Sequence, residues 1–241
     1  MQWLKVALVG LLLMVLLPTD ARAISSEHMP IEIIIDAGHG GIDGGTSYQG
    51  ILEKDINLQI AKLLYKELLV KGHQVLLNRT GDYALSDENK WLRSSSRHIR
   101  DLAQRRHLAK EVHPQMLVSL HVNWSNSKSS RGPLVLYQKN NQSYILADII
   151  QHHLDQLYKT KGEPLPGKTY YLLKQSICPT VIVEMGYLSN SRDRHFLVNE
   201  KTQKQIARAI QEAISEYMLI MNQIQDQETW DVIKEPRKKH K

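Results

Sequence analysis

The 241-residue chain has one cysteine, Cys178, and one phenylalanine, Phe196. A single thiol excludes an internal disulfide. Cys178 lies in an apolar stretch with no flanking cation, so it reads as a small buried hydrophobe and not as a nucleophile. No second long hydrophobic run follows the first one at Val6–Leu17. The body of the chain also has little net charge. Of the formal +6, residues 1–23 contribute +1 and residues 234–241 contribute +4, which leaves +1 between them. The basic character is therefore a property of the ends, and a basic nucleic-acid-binding face is excluded.

The ends have their own signatures. Met1–Ala23 carries an early lysine, the apolar run, Pro18 and then Ala21-Arg22-Ala23. This pattern is that of a secretory signal with an A-x-A cleavage site or, if uncleaved, of an N-terminal anchor. The run is short for a span of about 20 residues. The expectation is a domain exported to the wall or another extracytoplasmic space, with the anchor as its one membrane contact. Residues 24–223 are expected to form that domain, and 224–241 a charged, disordered tail.

The body is organised around IEIIIDAGHGGIDGG at residues 31–45. Its β-branched run is too short for a helix and reads as a buried strand. At Asp36 the run gives way to glycines 38, 40, 41, 44 and 45, whose backbone tolerates close approach. This loop has neither the Gly-Lys-Ser/Thr ending nor the helix-opening GxGxxG of a phosphate loop, and the imidazole of His39 in its middle points to a metal instead.

Further along, Lys54–Val70 carries Ile56, Ile60, Leu63, Leu64 and Leu68 at helical spacing, with Gly72 as its stop. Strands are expected at Val75–Leu77, Met116–Leu120, Leu134–Gln138, Tyr170–Leu173 and Thr180–Val183. Helices are expected from Asp101 (as cap) to Val112, over Ser143–Lys159 and over Gln203–Met221. Between them Gly81–Arg100 is a long polar loop with Arg93, Arg97 and Arg100, expected to shape a binding cleft. Alternating strands and helices predict a single three-layer α/β/α domain around a mostly parallel, twisted sheet.

Four polar residues follow the apolar strands or stand at the entry to the first helix: His39, Glu53, His121 and Glu184. Strand C-termini share one edge of a parallel sheet, so these residues can converge. Two imidazoles and a carboxylate are a donor set for catalytic zinc, and a further carboxylate can serve as base. Glu184, between Val-Ile-Val and Met-Gly-Tyr, is costly to bury unless it is paired or works beside a cation.

IDAGHGGIDGG, LEKD opening a helix, VSLHVN and PTVIVEMGYLSN follow one another in a fixed order. Together, from Ile31 to Tyr217, they resemble the zinc-dependent N-acetylmuramoyl-L-alanine amidases of the amidase-3 type. The single-domain layout is most similar to the germination-specific amidases of the spore cortex. The resemblance implies Zn2+ held by His39, Glu53 and His121, with Glu184 as catalytic acid/base. It implies cleavage of the amide between the lactyl group of N-acetylmuramic acid and L-alanine in peptidoglycan, muramic-lactam formation in the forespore intermembrane space, and a possible helper protein. Substrate-binding residues are unassigned. The alternatives are a zinc carboxypeptidase or other amidohydrolase on wall peptides, and a non-catalytic peptidoglycan-binding module.

Overall fold

The computed structural model describes residues 30–226. The expected signal or anchor, and the tail beyond residue 226, lie outside the described residues. Among the described residues no helix is long and apolar enough to cross a membrane.

The elements run β1 (Ile33–Ala37), a short hairpin of β2 (Ser47–Tyr48) and β3 (Ile51–Leu52), α1 (Glu53–Val70), β4 (Val75–Leu77), a 3-10 turn at Leu85–Asp87, and α2 (Arg97–Val112). There follow β5 (Met116–Asn123), β6 (Leu134–Tyr137), α3 (Asn141–Tyr158), β7 (Leu165–Pro166), α4 (Tyr171–Gln175), β8 (Thr180–Tyr187), α5 (Ser191–Val198) and α6 (Glu200–Asp226). The main sheet has the order β4-β1-β5-β8-β6-β7. Its first four strands are mutually parallel, β6 runs against β8, and β7 follows β6.

Successive side chains of a strand face opposite sides of the sheet, and this alternation builds the layers. Ile33, Ile35, Met116, Val118, Leu120, Val181 and Val183 enter one large core with α1, α3 and α6. In α6 the stripe of Ile206, Ile210, Ala213 and Ile214 is fully buried. Each such isoleucine contributes about 1.5–3 kcal/mol. The opposite face is thinner: Ile34 and Leu117 pack with Ala109 of α2, Leu172 of α4 and Cys178. Cys178 is buried there, and burial raises its thiol pKa. Towards the C-terminal ends of the parallel strands this second face turns polar, through Asp36, Ser119, His121 and Glu184. α2 and α4 flank it without closing over it, and the cleft described below lies there.

The structure departs from the sequence reading in several places. Tyr170–Leu173 is not a strand, because Tyr171–Gln175 forms the short helix α4. α2 begins at Arg97 and not at Asp101: Ser96 is the cap, accepting a hydrogen bond from Ile99 N at 3.3 Å. Asp101 is used inside the helix, where it binds Arg105 Nε at 2.6 Å. His121 and Glu184 lie within β5 and β8 and not beyond their ends. α6 continues past Met221 to Asp226. The sequence reading had no element for the β2–β3 hairpin, β7 or α5.

Candidate metal centre

Three donor atoms meet where β1 gives way to the glycine loop. Glu53 Oε1 lies 3.1 Å from His39 Nε2 and 3.0 Å from His121 Nδ1. One ligand atom from each residue falls within 4.8 Å of the other two. Bonds of about 2.0–2.1 Å in tetrahedral zinc place neighbouring ligand atoms about 3.3 Å apart. The cluster fits such an ion in donor type and in spacing.

The local chain explains the convergence. His39 itself takes a left-handed conformation, φ 59°, unusual for a non-glycine residue. Two glycines allow the rings to crowd in. A Cβ on Gly38 would stand 2.4 Å from His121 Cε1, and one on Gly45 would stand 2.5 Å from Glu53 Oε2. Glu53 is the first residue of α1, where the helix dipole favours a carboxylate. Its Oε2 accepts from Thr46 N at 2.8 Å, and its Oε1 accepts from Val122 N at 3.0 Å.

Burial would raise the pKa of Glu53, but its hydrogen bonds to His121 and His39 outweigh that and hold it well below the usual carboxylate range. Burial would lower that of His39, yet its bonds to Asp43 and Glu53 raise it to about 9. Asp43 Oδ2 holds His39 Nδ1 at 2.9 Å, which directs Nε2 to the cluster.

Glu184 stands in register with His121 on the neighbouring parallel strand, and so on the same face. It is 9% exposed, and its Oε2 has no hydrogen-bond partner. Burial pushes its pKa up to about 7, with His121 and His39 pulling it down and Glu53 pushing it up. A carboxylate poised near neutrality can both take and return a proton.

Beneath the loop two buried guanidinium groups grip its backbone. Arg79 donates from Nε to the carbonyl of Ala37 at 3.0 Å and from Nη2 to that of Gly38 at 3.0 Å. Arg105 donates from Nη2 to the carbonyl of His39 at 2.9 Å and pairs through Nη1 with Asp36. Above the cluster lies a cleft of about 500 Å³, walled by His98 and Leu102 of α2 and by Tyr170, with His39, His121 and Glu184 lining it.

Residues 33–216 match the N-acetylmuramoyl-L-alanine amidase family. The chain belongs to that family. It is 31% identical over 223 residues to the uncharacterized protein YqiI of Bacillus subtilis, covering 90% of this chain and 98% of that one. It is 30% identical over 192 residues to the germination-specific N-acetylmuramoyl-L-alanine amidase of the same organism, covering 77% and 78%. Among solved structures, the CwlD amidase of Clostridioides difficile, determined in complex with the GerS lipoprotein, superposes with a TM-score of 0.73 at 32% identity, covering 79% of this chain and 99% of that one. The activity that follows is hydrolysis of the N-acetylmuramoyl-L-alanine amide of cell-wall peptidoglycan.

The amidase's four sequence-predicted residues, His39, Glu53, His121 and Glu184, all border one site. Sequence reasoning missed the supporting residues Asp43, Arg79 and Arg105. Asp43 had a visible signal, its place four residues after His39. Arg79 and Arg105 had none, since an arginine in a polar loop or on a helix reads as exposed until the fold buries it.

Proposed function

We propose that this amidase is a zinc enzyme in which His39, Glu53 and His121 hold the ion and Glu184 is the catalytic acid/base. The observation that carries this reading is the unpartnered buried oxygen of Glu184 beside the three-donor cluster. A binding module has no use for a poised carboxylate there.

Zinc bound at the cluster supplies Lewis acidity and lowers the pKa of a water molecule from about 15.7 towards about 7. Glu184 accepts a proton from water as the water oxygen adds to the lactyl carbonyl carbon. It then delivers that proton to the alanine nitrogen as the C–N bond breaks, so the products are a free lactyl carboxylate and a new amino terminus. Acid/base assistance of this kind is worth about 10²–10⁴ in rate. Asp43 keeps His39 in the tautomer that presents Nε2, and Arg79 and Arg105 hold the loop that carries it.

The site of action is proposed to be extracytoplasmic, reached through the N-terminal signal or anchor, and the role to be muramic-lactam formation in the spore cortex. The germination-specific relative supports that role. A helper protein is proposed by analogy with CwlD, whose structure includes GerS.

The test is release of N-terminal L-alanine from intact peptidoglycan by the full chain, before and after chelation. Release that chelation abolishes and zinc restores is the expected result. Release untouched by chelation would contradict the metal assignment, and liberation of a C-terminal amino acid instead would mark a carboxypeptidase.

A further inference from the structure

A second cavity of about 130 Å³ adjoins the main cleft. Asp43, His98 and Asp101 line both, and Arg97 lines the second alone. Asp43 is the residue that holds His39, so this cavity begins one side chain away from the metal centre.

The two carboxylates on its wall are already committed. Asp43 binds His39 and accepts from Gly45 N at 3.1 Å. Asp101 binds Arg105 and accepts from Ser86 N at 3.2 Å. Arg97 is not committed: among the described residues its guanidinium has no hydrogen bond or ion pair, and its Nη1 is buried without a partner. An inaccessible guanidinium nitrogen without an acceptor is unfavourable, and on a cavity wall it is placed to pair with an incoming anion. Arg93 and Arg100, the other arginines of the same polar segment, line neither cavity.

We propose that Arg97 forms a substrate subsite that binds the carboxylate of the stem-peptide residue following L-alanine. This inference rests on the amidase reading, because it takes the cavity beside the metal centre to receive the stem peptide that begins at the scissile bond. In peptidoglycan that residue is a glutamate joined through its side chain, which leaves its α-carboxyl group free or amidated. An extended residue spans about 3.3–3.6 Å, so this group lies roughly two residues' reach from the scissile carbonyl. That reach suits a cavity starting at the partner of His39. A guanidinium matches a carboxylate in a planar, two-pronged pair, and an amide cannot satisfy it in the same way. The subsite therefore discriminates between the free acid and its amide.

The experiment compares kcat/KM of the zinc-loaded full chain on two soluble N-acetylmuramoyl tripeptides that differ only in that group, free carboxylate or carboxamide. The expected result is a preference for the carboxylate of roughly ten- to a hundredfold. In Arg97→Gln the two substrates fall within about twofold of each other, and Arg97→Lys, which keeps the charge but not the fork, gives an intermediate ratio. Equal use of both substrates by the wild type overturns the subsite without needing any variant, as does a preference that survives in Arg97→Gln. Failure of the wild type to release N-terminal L-alanine from either substrate overturns the amidase reading, and the subsite with it.

Discussion

At the scale of single residues, the proposed metal centre depends on groups outside the three-donor cluster. Asp43 is half-exposed, yet it determines which nitrogen of His39 faces the cluster. Outer carboxylates of this kind typically account for about 10–100-fold in metal affinity. Asp43→Asn retains a hydrogen-bonding group but loses the charge that steadies the imidazole. A chelator competition assay is expected to show zinc affinity reduced by about that factor, and affinity within twofold of wild type would show that the geometry of His39 is fixed by the backbone alone. Glu184 illustrates the opposite case. Its value lies in having no partner, since a hydrogen bond to its free oxygen would oppose the burial that lifts its pKa to about 7.

At the scale of elements, β1 and α2 are joined by a buried ion pair between Asp36 and Arg105, with Ser119 Oγ also donating to the carboxylate. Burial opposes the charge on Asp36, but Arg105 and Ser119 outweigh it, so the folded pKa lies below the ordinary aspartate value. A depressed carboxylate contributes stability that is complete above the unfolded pKa and disappears as pH falls through the folded one. Asp36→Asn is expected to cost about 3 kcal/mol at neutral pH, because it leaves the guanidinium short of its counter-charge. The gap from wild type should narrow as urea titrations move from pH 7 to pH 3. A gap that stays constant would mean that Asp36 acts by shape and not by charge.

The same elements show what the sequence made legible. The short unbroken apolar runs of β1, β5 and β8 announce themselves by their length, and the apolar stripes of α1, α3 and α6 by their helical spacing. The segment at Tyr170–Leu173 does not. Its two leucines serve both the small cores on the outer face, and four residues cannot distinguish a turn of helix from a strand. The start of α2 was misplaced because Asp101 looks like a cap, although its carboxylate is occupied by Arg105 and Ser86.

At the scale of the whole molecule, topology brings together residues from position 39 to position 184. β1, β5 and β8 lie side by side and parallel. The loop after the first strand and polar positions on the next two therefore share one end of one face, while α1 delivers Glu53 from the other side of the loop. The four candidate residues could be named from the sequence because His39 stands in a glycine loop, Glu53 opens a helix, and His121 and Glu184 follow apolar runs. Their arrangement could not be read there, since it depends on the register that sets Glu184 opposite His121 and on the buried arginines beneath the loop.

The most direct measurement is a paired one on Glu184→Gln: zinc content and release of N-terminal L-alanine from peptidoglycan, each against wild type. Full zinc occupancy with turnover reduced by about 10²-fold or more is the expected result, because the substitution keeps shape and removes the proton acceptor. Turnover near wild type would contradict the acid/base role. Loss of zinc along with turnover would place Glu184 among the ligands instead.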